Sequence, residues 1–390
     1  MKKLFIIIAV MALSTEMFAQ STKINNAFQD YRRGRIARAL EAIEEAAVHP
    51  DTKDQARTWF YRGNIFLTIA LSDKADVSSL SNKAIDEAYD SFQKAIALDK
   101  DVSNNMVSPS TPSEGVQMLS IPYYNRGIQK YNTQNYAQAA EDFEKAHRCK
   151  AENSFLYMLG LSQMYAEMNK PKDEPKNFTS AIRTFNGLIQ GKFNEPNIYI
   201  FLSDIYKLNN DTVRSLRTIN NGETAFPDTT RIMIQKFNIY LWSGKTEEAL
   251  NLLQKIKEKE PTNHVVYFNI GTVLNEIGKF DEAVVAFERA IELKPDYFDA
   301  LFNFGTMYFN RFLAIREEAE KLGFSEQEKF EKLNAQAQEI LAKAQPYLEK
   351  CYQLNPKDHD TLYMLRQVYI RMNQLEKAKE IEIIMNELKK

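Results

Sequence analysis

Groups able to do covalent or metal chemistry are few in these 390 residues, and they are far apart. The four histidines are His49, His147, His264 and His359, and no two stand at metal-ligand spacing. The sequence has no HExxH, CxxC or GxxxxGK[ST] pattern, the arrangements that hold zinc, do dithiol chemistry or cradle phosphate. Asp358-His359-Asp360 is the one compact cluster of imidazole and carboxylates. It falls in a turn between two predicted helices, where an Asp side chain accepts from the next helix's free N–H groups, so it reads as a cap. No Ser/His/Asp set can be chosen by spacing. The expectation is a protein without catalysis, cofactor or metal.

The elements that carry these residues are helical by composition. The chain is 44% hydrophobic and 26% charged, enough apolar material to bury a core. It has only 13 glycines and 12 prolines, too few for the tight turns and Gly-rich loops of an α/β enzyme. Lys and Arg number 50 against 52 Asp and Glu, so there is no basic excess for nucleic acid.

Lys2 and Lys3 precede an apolar run, Leu4–Leu13, followed by Ser14, Thr15 and Ala19. That is the pattern of a secretory signal peptide over 1–19, cut after Ala19 or Gln20. The run is half of what a membrane span needs, and no second long apolar segment follows. The mature chain is expected to be soluble and periplasmic or secreted. Cys149 and Cys351 are expected to be two separate buried thiols, since a repeat architecture sets them far apart.

That architecture comes from a 34-residue period. Pro227, Pro261 and Pro295 keep it, as do Gly244 and Gly278, and Ala249 and Ala283. Tyr206, Tyr240, Leu274 and Tyr308 continue the same interval. In the clearest unit, 264–297, Tyr267, Ile270, Gly271 and Leu274 fall at helical spacing and Gly278 interrupts. Phe280, Ala283, Phe287, Ala290 and Leu293 then form a second amphipathic stripe ended by Pro295. This is a helix–turn–helix whose helices cross closely at Gly271 and Ala283.

This residue set resembles the tetratricopeptide repeat. Sliding the frame gives about nine units over nearly the whole mature chain, closest in units three, six, seven and eight and most degenerate in unit four. The resemblance implies an all-α, right-handed superhelical solenoid. Units one and two with a mobile, Ser/Pro/Asn-rich loop at 101–119 make an N-terminal part, 20–119, and units three to nine make 120–390. In unit eight the stretch 311–343 is rich in Glu, Lys, Ala and Leu, with Leu322-Gly323 as a stop and Ser325 and Glu328 as a capping box. It predicts a hairpin arm of two long helices, one to about 321 and one over about 326–354, charged and adding nothing to the solenoid core. The unit-eight arm, like the signal peptide, looks like secreted repeat proteins of Gram-negative, Bacteroidetes-type envelopes.

In such solenoids the first helix of each unit lines a concave groove. The resemblance places Phe60, Tyr124, Tyr131, Asn132, Ile234, Trp242, Phe268, Asn275, Phe302, Phe309 and Tyr363 on that lining. An aromatic and amide ladder suits a peptide or another envelope protein; the same aromatics also suit packing between neighbouring helices. The basic clamp that captures chaperone C-termini is not expected, because no unit has Lys or Arg at the required place. Two further readings stand beside the scaffold: a carrier of a glycan or hydrophobic molecule in the groove, and self-association through a C-terminal face at Ile381, Ile384 and Leu388. Thr212 and Thr361 lie in Asp-Thr-apolar tripeptides that resemble a bacterial O-glycosylation motif.

Overall fold

The computed structural model describes residues 22–227 and 229–388, so the expected signal peptide lies outside the described residues. The described residues contain helices and no strand, and no helix among them is long and apolar enough to cross a membrane. They fall into two compact units, one up to Ile198 and one from Tyr199.

The first unit begins with a helix over 22–32 (α1) paired with α2 (Ile36–Val48). Then α3 (Ala56–Leu71) pairs with α5 (Ala84–Leu98), with the short α4 (Ala75–Ser78) in the connection. After α6 (Pro112–Met118) come the hairpins α7 (Ser120–Asn132) with α8 (Tyr136–Cys149), and α9 (Asn153–Met168) with α10 (Thr179–Gln190). Helix α11 (Asn197–Leu208) begins at the boundary. The second unit goes on with α12 (Thr212–Ala225), α13 (Thr230–Trp242), α14 (Thr246–Lys259), α15 (His264–Glu276) and α16 (Phe280–Leu293). It ends with the long pair α17 (Phe298–Glu320) and α18 (Gln327–Leu354), then α19 (His359–Arg371) and α20 (Leu375–Glu387).

One contact recurs at the centre of these hairpins. A glycine on the first helix lies against a large side chain on the second: a Cβ added at Gly271 would sit 3.0 Å from the Phe287 ring, and one at Gly127 would sit 2.8 Å from Phe143. Without the glycine the helices could not approach closely enough to bury that ring, worth about 2–3 kcal/mol. The turns recur too. Gly34, Gly244 and Gly278 have φ of +71°, +71° and +77°. Gln134, Asn210 and Asn373 hold the same place in their hairpins with φ of 62°, 56° and 58°, in the left-handed region glycine prefers.

Two expectations need correction. The segment 101–119 is not a bare loop, because its second half is α6. Thr111 caps it, its hydroxyl oxygen accepting from Glu114 N at 3.2 Å, Pro112 fills the first turn, and Gly115 lies against the Phe92 ring. The sequence Thr-Pro-Ser-Glu carried that signal. The arm is two long antiparallel helices as expected, yet its root is core: Phe312, Ile315, Ala319, Ala337 and Leu341 are all buried. Its turn is closed by Glu326, whose carboxylate accepts from Gly323 N at 3.4 Å, and not by Ser325.

Candidate partner-binding faces

The first helices of the hairpins carry the predicted lining, and the structure sorts it by exposure. Trp242 on α13 is 40% exposed and Tyr363 on α19 is 49% exposed. Asn132 on α7 and Asn275 on α15 are exposed as well. Ile234, Phe268 and Phe302 are half-buried, each with part of its surface on the core of the second unit. Phe268 meets Tyr297 and Phe287 at ring-centre distances of 5.3 and 6.2 Å. Phe302 is stacked on Phe298 at 6.3 Å. In the first unit Tyr124 is held between Phe143 and Phe155, and Tyr131 belongs to a triad with Tyr136 and Tyr165.

Phe60 and Phe309 are not lining residues. Phe60 is fully buried, because α3 is covered by α2, α5 and the unforeseen α6. Phe309 is 6% exposed: it precedes the arm root, beside Phe312 at 6.1 Å and under the Arg371 guanidinium at 5.2 Å. Other expectations fail on burial too. Thr361 is fully buried in the first turn of α19 and cannot present its hydroxyl to a glycosylating enzyme; Thr212 is half-buried. Ile381 is buried in the core, so the C-terminal face is reduced to the half-buried Ile384 and the exposed Leu388. The cap reading of the His/carboxylate cluster agrees with the geometry: Asp358 accepts from Thr361 N at 2.8 Å. Both cysteines are free and buried, and burial pushes each thiol up to about 12.

Sequence reasoning passed over an ionic network in the first unit. Asp86 on α5 and Asp142 on α8 both accept from Arg126 on α7, at 2.6 and 2.9 Å. Lys145 reaches Asp86 and Lys130 reaches Asp142, each at 2.7 Å, and the Tyr123 hydroxyl donates to Asp86 at 3.0 Å. Burial would raise the Asp86 carboxyl, but the hydrogen bonds and charges of Arg126 and Lys145 outweigh it and hold it well below the carboxylate range. The signal was present, since Asp142 stands in the apolar stripe Ala139, Phe143, Ala146. In the second unit Lys236, where a hydrophobe is the rule, is paired with Glu223 at 2.6 Å.

The Gly-to-ring crossings and the recurring left-handed turns are the geometry of one repeat, and the tetratricopeptide repeat profile matches residues 264–297 and again 335–381. The chain is a tetratricopeptide-repeat protein. The second match begins within the second helix of the arm and takes in the rest of α18, all of α19 and the first half of α20. A human protein O-mannosyl-transferase, TMTC3, is 24% identical over 207 residues, which are 50% of this chain and 22% of that protein. Its Drosophila melanogaster counterpart is 47% identical over 51 residues, 13% of this chain and 6% of that one. The chain thus spans a quarter or less of the length of these relatives. Among solved structures, yeast Tom70 aligns with 97% of this chain and 80% of its own at 17% identity, with a TM-score of 0.43. A tetratricopeptide-repeat protein of Bacteroides fragilis covers 65% of this chain and 98% of its own at 20% identity, with a TM-score of 0.29. Such a repeat array is a scaffold suited to holding other proteins.

Proposed function

We propose that this tetratricopeptide-repeat protein is a non-catalytic scaffold of the bacterial envelope, exported by the segment 1–19 and acting in the periplasm or outside the cell. It holds protein or peptide partners on the first helices of its repeats, with the outer part of the arm as a second contact. The observation that carries the reading is the exposure of Trp242 and Tyr363 in a unit whose other aromatics are mostly covered. Large rings left open beside amides are the anchors that extended or helical segments use, the rings giving area and the amides pairing with backbone.

A photoreactive amino acid placed at 242 or at 363 in the full chain should capture the same discrete partner in cells. With the photoreactive residue at 242, Tyr363→Ala should weaken that capture, and with it at 363, Trp242→Ala should do the same, while the fold persists by circular dichroism. Capture of no discrete species from either position would overturn the reading. The location has its own check: fractionation should find a chain beginning at Gln20 or Ser21 outside the cytoplasm, and a full-length cytoplasmic chain would overturn it.

A further inference from the structure

A cleft in the first unit has a chemistry that peptide docking does not use. It has a volume of about 320 Å³ and lies where the start of α8 meets the end of α9. Its polar lining is Gln134, Asn135, Gln138, Asn169 and Lys170, with Tyr136 as its aromatic wall. Gln134, Gln138 and Asn169 are exposed and make no side-chain hydrogen bond among the described residues. Of the charged groups there, Lys170 is paired with Glu167 at 2.7 Å, Glu167 also accepts from Asn177 N at 2.7 Å, and Lys176 Nζ donates to the Met168 carbonyl at 2.9 Å.

Tyr136 is held rigid in the triad, with ring centres 5.1 Å from Tyr131 and 5.4 Å from Tyr165. Burial first, and then the neighbouring phenols, push Tyr131 up to about 12. The three tyrosines come from three consecutive helices, which fixes the ring platform before any ligand arrives.

We propose that this cleft binds a neutral saccharide. Carboxamides donate and accept at once, which matches vicinal hydroxyls, each of them both donor and acceptor. A fixed phenol ring offers an apolar face for the C–H face of a sugar and a polar edge for its hydroxyls. An anionic ligand would have to draw Lys170 away from Glu167, and a cationic ligand would find no carboxylate in the lining. The volume is at the lower end of small-molecule sites, suited to one or two sugar rings at the end of a chain.

The test is ligand-observed NMR on the full chain with maltotriose, chitotriose and mannotriose, and with trigalacturonate and trialanine as charged and peptide controls. At least one neutral trisaccharide should bind, at a Kd on the order of 1 mM for so open a site. Gln138→Ala and Asn169→Ala should each weaken it about tenfold. Both side chains are exposed, so these variants keep the fold whatever Tyr136→Ala does. No binding by any neutral sugar, binding unchanged in both variants, or tighter binding of trigalacturonate or trialanine would each overturn the proposal. Tyr136, Gln138 and Asn169 lie outside the partner-binding lining proposed above, so this site and the scaffold reading fail separately.

Discussion

Arg126 grips Asp142 with two parallel hydrogen bonds, Nε to Oδ2 at 2.9 Å and Nη2 to Oδ1 at 2.6 Å, and Asp142 is only 1% exposed. The pair ties α7 to α8 inside one hairpin. Through its second carboxylate partner, Asp86, the same guanidinium ties that hairpin to the preceding α5. A fork of fixed donors is well matched to two carboxylates on different helices.

Removing the buried carboxylate should therefore be costly. Asp142→Ala leaves Arg126 and Lys130 facing each other without their shared counter-charge. Because both cations keep some contact with water, the loss should be about 2 kcal/mol, below the range for fully buried pairs. Urea unfolding measures it, and a change under 0.5 kcal/mol would show the network to be ornamental.

Acid should act through the other carboxylate. The folded-state pKa of Asp86 is depressed from its ordinary value of 3.8, so its stabilisation is fully present above about pH 4 and is lost as pH falls further, toward the folded value. Stability measured against pH should fall more steeply in the native chain than in Asp86→Asn below about pH 4. Parallel curves would contradict the assignment.

The turns make a signed prediction of their own. Gln134 has φ of 62° where Gly34, Gly244 and Gly278 serve in other hairpins. Gln134→Gly should stabilise the chain by about 1 kcal/mol, because it relieves the left-handed strain of a side chain with a Cβ. Asn373→Gly should gain less, since Asn tolerates that region better. Thermal melting of both variants checks the order.

The arm divides into root and outer part. Ile315→Ala should cost about 2–4 kcal/mol, since it opens a cavity in a packed core. Lys332→Ala, on an exposed arm position, should change stability by less than about 0.5 kcal/mol. Equal effects of the two in chemical denaturation would show that the root is not core.

Thiol labelling reports on burial. Cys149 and Cys351 are enclosed and each is pushed up to about 12, so neither supplies thiolate at pH 8. The folded chain should be inert to a water-soluble disulfide reagent, and two thiols per chain should react in denaturant. Rapid labelling of the native protein would show a thiol open to solvent.

The sequence by itself determined the all-helical class, the repeat and the hairpin arm. Those follow from a local period: every 34 residues the same small residue must meet the same large one, as at Gly271 and Phe287, whatever surrounds the hairpin. Tertiary structure alone decided which aromatics remain open to a partner. Phe60 and Phe302 carry the same frame assignment, yet one is sealed by α6 and the other keeps an exposed edge. Exposure depends on what insertions bring alongside, and a frame position does not encode it. The same holds for Asp142, whose place in an apolar stripe was visible while its partners on α7 were not. Burying a carboxylate is tolerable only where cations meet it, and only the assembled helices supply them.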